Sequence, residues 1–363
     1  MKDKISNLEF GVLNYFLTRA FFIGITFNCL IKFMKQDSSI IPLISIILGY
    51  IIICLNNIIF NYKPNLNVAE KIKTLFKGKS STILILLIFI LCLNFCFINS
   101  VNLNNFIHSQ FLAKTPVLVI CIFFMIAAVY VLSKDILSIS RTSVILFYIG
   151  FSLFLLTAIA LIPTAELSNL KPIFQFKFKN IFEALNCYYA FNLTPIFLLT
   201  IIPKDTIKSK NIKLTLLISY IVSAITLFLV IFFTIATFGF ELTKLYEYPE
   251  FNVLKHVSLL GIASRIESIL VIQWIFDIFI YNVISLYFMS KCISTITNFN
   301  NQFKLINIIL AVLIVFLTHV FSRYNIFMNN ILIKYTSIIT TIVTIFITLL
   351  IVLKIKSGKK LPD

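Results

Sequence analysis

The chain has 363 residues, of which 60% are hydrophobic and 12% charged, with a mean hydropathy of +1.00. Soluble domains carry roughly 25% charged residues, so this chain lacks the polar surface that water demands and is predicted to form one all-α integral membrane domain over residues 1–363. Its 31 basic and 14 acidic residues give a net charge of +17. They lie between apolar runs and form no stripe with stacking aromatics, which argues for anionic lipid as the partner and against nucleic acid.

A helix crosses the hydrocarbon in about 20 apolar residues at 1.5 Å rise. Ten such runs follow one another, at about 8–31, 40–60, 83–106, 116–132, 144–162, 185–202, 214–238, 266–288, 305–321 and 331–353. The first run carries Arg19 and lacks a small-residue cleavage pattern, so it is expected to stay as the first helix and not to be removed as a signal peptide. Counting Lys and Arg on alternate sides puts the basic-rich set on one side: Lys2 and Lys4, residues 63–79, Lys134 and Arg141, residues 204–213, Lys291 and Lys304, and residues 354–360. That side is predicted to be cytoplasmic, with both termini inside. The longest outward connections, 163–184 and 239–265, are candidates for a lid or docking surface; the second contains Glu241, Glu247 and Glu250.

The seven cysteines fall mostly in apolar runs, where a thiol acts as a small hydrophobe, and no disulfide framework is expected. Cys92 and Cys96 share a helix face without a nearby His or carboxylate to complete a metal shell. The 39 Phe are read as lipid-facing. His108, His256 and His319 are dispersed, which speaks against a proton relay, and no phosphate loop, nucleophile elbow or zinc helix motif is present. Neither an enzyme nor a cofactor is expected.

Polar and helix-breaking residues in mid-span normally face protein or a water-filled cavity, because lipid satisfies no backbone group. The first span carries Thr18, Arg19 and Gly24 near its middle, and the sixth carries Asn192, Thr194 and Pro195 near its own. Spans one and six each open a block of five. The prediction is a 5+5 repeat, residues 8–162 and 185–353, inverted because five is odd, with helices 1 and 6 broken and a site at the midplane. Two ordinary kinks in a bundle are the plainer alternative.

Arg19 and Asp277 are the charges expected deepest in the membrane. Each costs about 2.5–3.5 kcal/mol at a helix centre on insertion scales. Either they pair across the bundle, or Arg19 snorkels while Asp277 bonds Gln273 one turn away. The eighth span also holds Gln273, Trp274 and Asn282 and is expected to face inward. Trp274, well inside its span, serves packing or ligand contact and not an interfacial belt.

In and before the eighth span, Tyr248-Pro249, then Gly261 to Ser264, Arg265, Glu267, Trp274 and Phe279 resemble the B subunits of bacterial spore germinant receptors. These are the GerAB-type spore germination permeases of the amino acid, polyamine and organocation transporter superfamily. The resemblance covers essentially the whole chain, and its motif residues are Tyr248, Pro249, Arg265, Glu267 and Trp274. It implies a multi-pass protein of the spore inner membrane that binds a small nutrient such as an amino acid. It also implies action with an A subunit and a lipoprotein C subunit, and a transporter-like fold with broken helices 1 and 6. The breaks here read Thr18-Arg19-Ala20 and Asn192-Leu193-Thr194-Pro195, where members of that family often carry Gly-rich or Glu-bearing breaks, so ligand identity does not carry over.

The expected substrate-binding residues are Thr18, Arg19 and Gly24, Asn192 and Thr194, and Gln273 and Asp277. Arg19 would take an anionic group, or else stand in the place of a coupling cation between helices one and eight. Asp277 would take a cationic group, and the amides and hydroxyls would fix orientation. The leading expectation is a sensor in which nutrient binding shifts a two-state bundle and signals through partner subunits. The rival is a secondary transporter of amino acids or organic cations.

Overall fold

A computed structural model describes residues 4–209, 211–259, 265–298, 302–323 and 333–358. The described residues are overwhelmingly helical and include no strand. Ile5 and Ile207 form an isolated parallel bridge. Gly261 to Ser264 of the motif lie outside the described residues.

The chain begins with α1 (Asn7–Leu17), whose start is fixed by a capping box: Ser6 accepts from the Glu9 amide and Glu9 accepts from that of Ser6. After an interruption come α2 (Phe27–Met34) and α3 (Ile40–Asn61), divided by a 3-10 turn at Lys35–Ser39. Together these make an apolar stretch of 55 residues. At 1.5 Å per residue, that is far longer than one crossing of a core about 30 Å thick. A short amphipathic helix, α4 (Val68–Leu75), opens with a second capping box, Asn67 with Glu70. It lies in the basic segment read from sequence as a plain connection.

Next come α5 (Lys79–Gln110), α6 (Val117–Leu132) and α7 (Ile136–Leu161). The second half holds α8 (Phe178–Tyr188), α9 (Ile212–Thr243), α10 (Pro249–Leu259), α11 (Glu267–Thr297), α12 (Phe303–Phe321) and α13 (Ile333–Gly358). Among the described residues, eight helical stretches are long and apolar enough to cross a membrane, and α6 is apolar but shorter. With these spans the protein is an all-helical, multi-pass integral membrane protein. The helix α7 starts eight residues before its apolar run because Asp135 caps it at Ser138, and Arg141 on its polar first turns lies 3.9 Å from Glu9.

Burial separates the helices by role. α11 is largely enclosed and packs on α5, α7, α1 and α12, whereas α6, α7, α12 and α13 expose rows of Ile, Leu and Phe suited to lipid. The segment after the sixth span is tied down by backbone: Ile5 donates to Thr206 (2.9 Å), Lys208 to Ile5 (2.8 Å) and Asp205 to Pro64 (3.1 Å). Lys71 of α4 is fully buried and donates to the carbonyl of Ile59 (2.8 Å) at the C-terminus of α3; burial lowers its pKa to about 8. Replacing it with Met keeps the stem but orphans that carbonyl. We expect Lys71→Met to cost about 1–3 kcal/mol, read as a lower melting temperature of the purified protein.

Candidate functional site

The first span does break where its polar residues lie. α1 ends at Leu17, and Thr18 to Phe21 form turns. A wide-wound segment, Phe22–Thr26, then contains two residues off the helix, Ile23 (φ −68°, ψ 128°) and Gly24 (φ 74°, ψ −16°). Glycine is required at position 24 for two reasons. Its φ lies in the left-handed region, and a Cβ there would stand 2.6 Å from Tyr248 Cε1 and 2.8 Å from Asn102 Oδ1. Gly24→Ala should therefore lower the melting temperature, by strain and overpacking each of about 1–3 kcal/mol.

The backbone freed by the break is taken up from three directions. Asn102 of α5 donates to the Ile23 carbonyl (2.8 Å), and Glu250 of α10 accepts from the Gly24 amide (3.0 Å). Asn192 of the sixth span donates to the Thr18 carbonyl (2.8 Å) and accepts from the Thr26 hydroxyl (2.9 Å), so one side chain joins the two sides of the interruption. The sixth span itself changes winding without leaving helical space. α8 gives way at Tyr189 to a π segment, Tyr189–Leu193, then to a 3-10 helix, Thr194–Ile201, with Pro195 in its first turn. A 3-10 run of that length is unusual and often marks a hinge or strain.

Arg19 leaves the break toward α11. Its Nε lies 3.3 Å from Asp277 Oδ2, and both side chains are nearly inaccessible. A second guanidinium nitrogen donates to the Thr226 hydroxyl of α9, and the guanidinium carbon lies 4.9 Å from the centre of the Tyr15 ring. Gln273 is not the partner of Asp277.

Beside this pair is a hollow of about 270 Å³ of non-atom space, lined by Arg19, Gln273, Trp274 and Asp277 with Phe22, Ile23, Val230 and Leu270. It is tight: about 10 Å³ of it admits the centre of a water molecule, room for about one water. Polar atoms around it have no hydrogen-bond partner within the protein. They are Asp277 Oδ1, both amide atoms of Gln273 and Trp274 Nε1. Unpaired buried groups cost about 1–3 kcal/mol each, and these four line a space that a ligand or water can fill, which makes the hollow a candidate site.

Of the residues proposed from sequence, Arg19, Gln273 and Asp277 come together at the hollow. Thr18, Gly24, Asn192 and Thr194 instead shape the breaks. The Thr18 hydroxyl contacts Ser223 (2.8 Å), and the Thr194 hydroxyl bonds the Tyr189 carbonyl (3.2 Å). The motif residues Tyr248 and Trp274 converge on Phe106, at ring distances of 4.7 and 4.9 Å, and Pro249 opens α10. Arg265 is exposed with φ 57°, and Glu267 begins α11. Sequence reasoning missed Tyr15, Asn102, Ser223 and Thr226 as site-shaping residues. The signal was there in part, since Tyr15 lies one turn before Arg19, and Ser219, Ser223 and Thr226 form a polar stripe on an apolar helix.

The fold is that of a multi-pass membrane protein. Solved structures bear out the fold. One is a substrate-bound, outward-open Na+-coupled sialic acid symporter, at 14% identity and a TM-score of 0.64 over 93% of this chain and 78% of the other. Another is a variant of the manganese transporter of Eremococcus coleocola, at 10% identity and a TM-score of 0.64 over 96% and 78%. The chain belongs to the family described as spore germination protein, whose profile matches residues 13–326. A search of curated proteins finds no match.

Proposed function

We propose that this protein is the ligand-binding B subunit of a spore germinant receptor, with a small nutrient, an amino acid, bound at the Arg19–Asp277 hollow. The observation that carries the reading is the set of opposed charges and unpartnered donors and acceptors around that hollow. A zwitterion meets both needs, its carboxylate facing Arg19 and its ammonium facing Asp277 Oδ1, with Gln273 fixing orientation.

The hollow holds about one water as it stands, so binding must displace a wall. Phe22 and Ile23 belong to the interrupted segment and are the walls least constrained by helical hydrogen bonds. Occupancy is thereby linked to the geometry of the break, and a ligand with different affinity for the two geometries shifts their populations. In this reading ten helices cross the membrane as two inverted halves, 8–162 and 185–353, with Thr18, Gly24, Asn192 and Thr194 as the frame of the site. Both termini lie in the cytoplasm of a spore inner membrane, and A and C subunits receive the signal.

The test is a thermal-shift screen of amino acids on the purified protein, alone and with its partner subunits. At least one should raise the melting temperature of the wild type saturably, and Arg19→Ala should abolish that response. No stabilising amino acid in either setting overturns the reading. The transporter fold favours a second reading, alternating-access transport; amino-acid flux into vesicles containing this chain alone would select it.

A further inference from the structure

A second cavity adjoins the first across Val230 and Leu270, which line both, and lies between α7, α9, α10 and α11 without touching Arg19 or Asp277, with about 280 Å³ of non-atom space. Most of its lining is apolar, including Phe154, Leu161, Phe233 and Leu254. Glu250 also lines it. This carboxylate is 1% exposed and spends Oε1 on the Gly24 amide, while Oε2 has no hydrogen-bond partner. A buried carboxylate oxygen left alone in apolar surroundings is costly, and it calls for a donor or a positive charge.

The other polar residues of the lining are Thr157 and Thr234, whose hydroxyl protons go to the carbonyls of Phe154 and Val230, each at 2.8 Å. Both hydroxyls are thus left with acceptor lone pairs only. With Glu250 ionised, no side chain of the lining supplies a spare donor, so an anion has nothing to hold it there. A divalent cation, which takes six or more oxygen ligands, finds too few.

We infer that this cavity is a second ligand site, for a small aliphatic primary ammonium ion whose N–H groups face Glu250 and the threonine hydroxyls and whose carbon body meets the apolar wall. The ammonium supplies three donors and one charge to a lining made of acceptors. The space admits water-sized centres over about 20 Å³, which suits a head with a very short chain. Because the same carboxylate holds the Gly24 amide, the occupant bears directly on the interruption of the first span. Burial holds the Glu250 pKa at about 8, and an adjacent cation favours the ionised form.

The test uses ethylammonium chloride on the purified full chain, followed by melting temperature and titration calorimetry at fixed pH and ionic strength. Saturable stabilisation of the wild type is expected, with at least a tenfold loss of affinity in Glu250→Gln. That variant keeps the oxygen that accepts from Gly24. The cavity-filling Ala158→Phe should also lose binding, and it decides the matter if Glu250→Gln does not fold. Tetramethylammonium, which has no N–H, and sodium should give no response. The inference is overturned by a wild type that ethylammonium does not stabilise, or by equal binding in Glu250→Gln or Ala158→Phe.

Discussion

Arg19→Ala should give one of the lowest melting temperatures of any single substitution in this protein, and Asp277→Ala should come close to it. Each leaves the opposite charge buried without a partner, a situation that costs about 3–5 kcal/mol when one member of a buried pair is removed. The side chains are 6% and 3% exposed, so water offers little relief. Removing both should cost less than the sum of the single losses, because no orphaned charge remains; the shortfall measures the coupling, in the range of about 0.5–3 kcal/mol for contacting groups. Strict additivity across the cycle would show that the contact carries no energy. Arg19→Lys is a sharper control for function. It preserves the charge but not the fork that reaches Asp277 and Thr226 together. It should fold better than Arg19→Ala yet respond poorly to an anionic ligand group.

The second large effect is a dependence on pH centred on Glu250. Its carboxyl lies in the connection between the seventh and eighth spans, and burial raises its pKa from 4.5 to about 8. A carboxyl with a raised folded value holds its proton more tightly in the native state than in the unfolded one. Its contribution is therefore complete below about 4.5 and is lost as pH rises through about 8. In the absence of amines, the wild type should lose on the order of a few kcal/mol between pH 5 and pH 9 from this group alone. Glu250→Gln, which cannot ionise, should match the wild type near pH 5 and melt higher near pH 9. A wild type and Glu250→Gln whose melting temperatures keep a constant difference across that range would show that the carboxyl is not shifted.

Much of the architecture could be read from the chain because lipid makes strong demands on sequence. Apolar runs of membrane length stand out, and so do charges inside them, which is why Arg19 and Asp277 were both visible before any distance was known. The place of the first interruption was legible for the same reason, since Thr18, Arg19 and Gly24 are costly in mid-span unless something receives them. Other features left no such mark. Glu250 sits in a polar connection with Glu241 and Glu247, where an acidic residue looks solvated. Only the folding of α10 over the break buries it. Asn192 looked like a ligand contact because a polar amide in an apolar run suggests a cavity, yet its donor and its acceptor are both taken by the first span. The α4 helix was hidden by its eight-residue length and its lysines, of which Lys71 is buried on the carbonyl at the end of α3.

The bond pattern of Asn192 also says how the molecule can flex. A single amide from the sixth span is stitched to residues on both sides of the gap in the first, so prising that gap apart breaks two buried hydrogen bonds, each worth about 0.5–1.5 kcal/mol net. Rocking the first and sixth spans as one body breaks neither. The first and sixth spans are thereby held as a pair, and Asn102 of α5, Ser223 and Thr226 of α9 and Asp277 of α11 hold that pair in turn, so any separation of the pair from those helices must first release the Arg19 contacts.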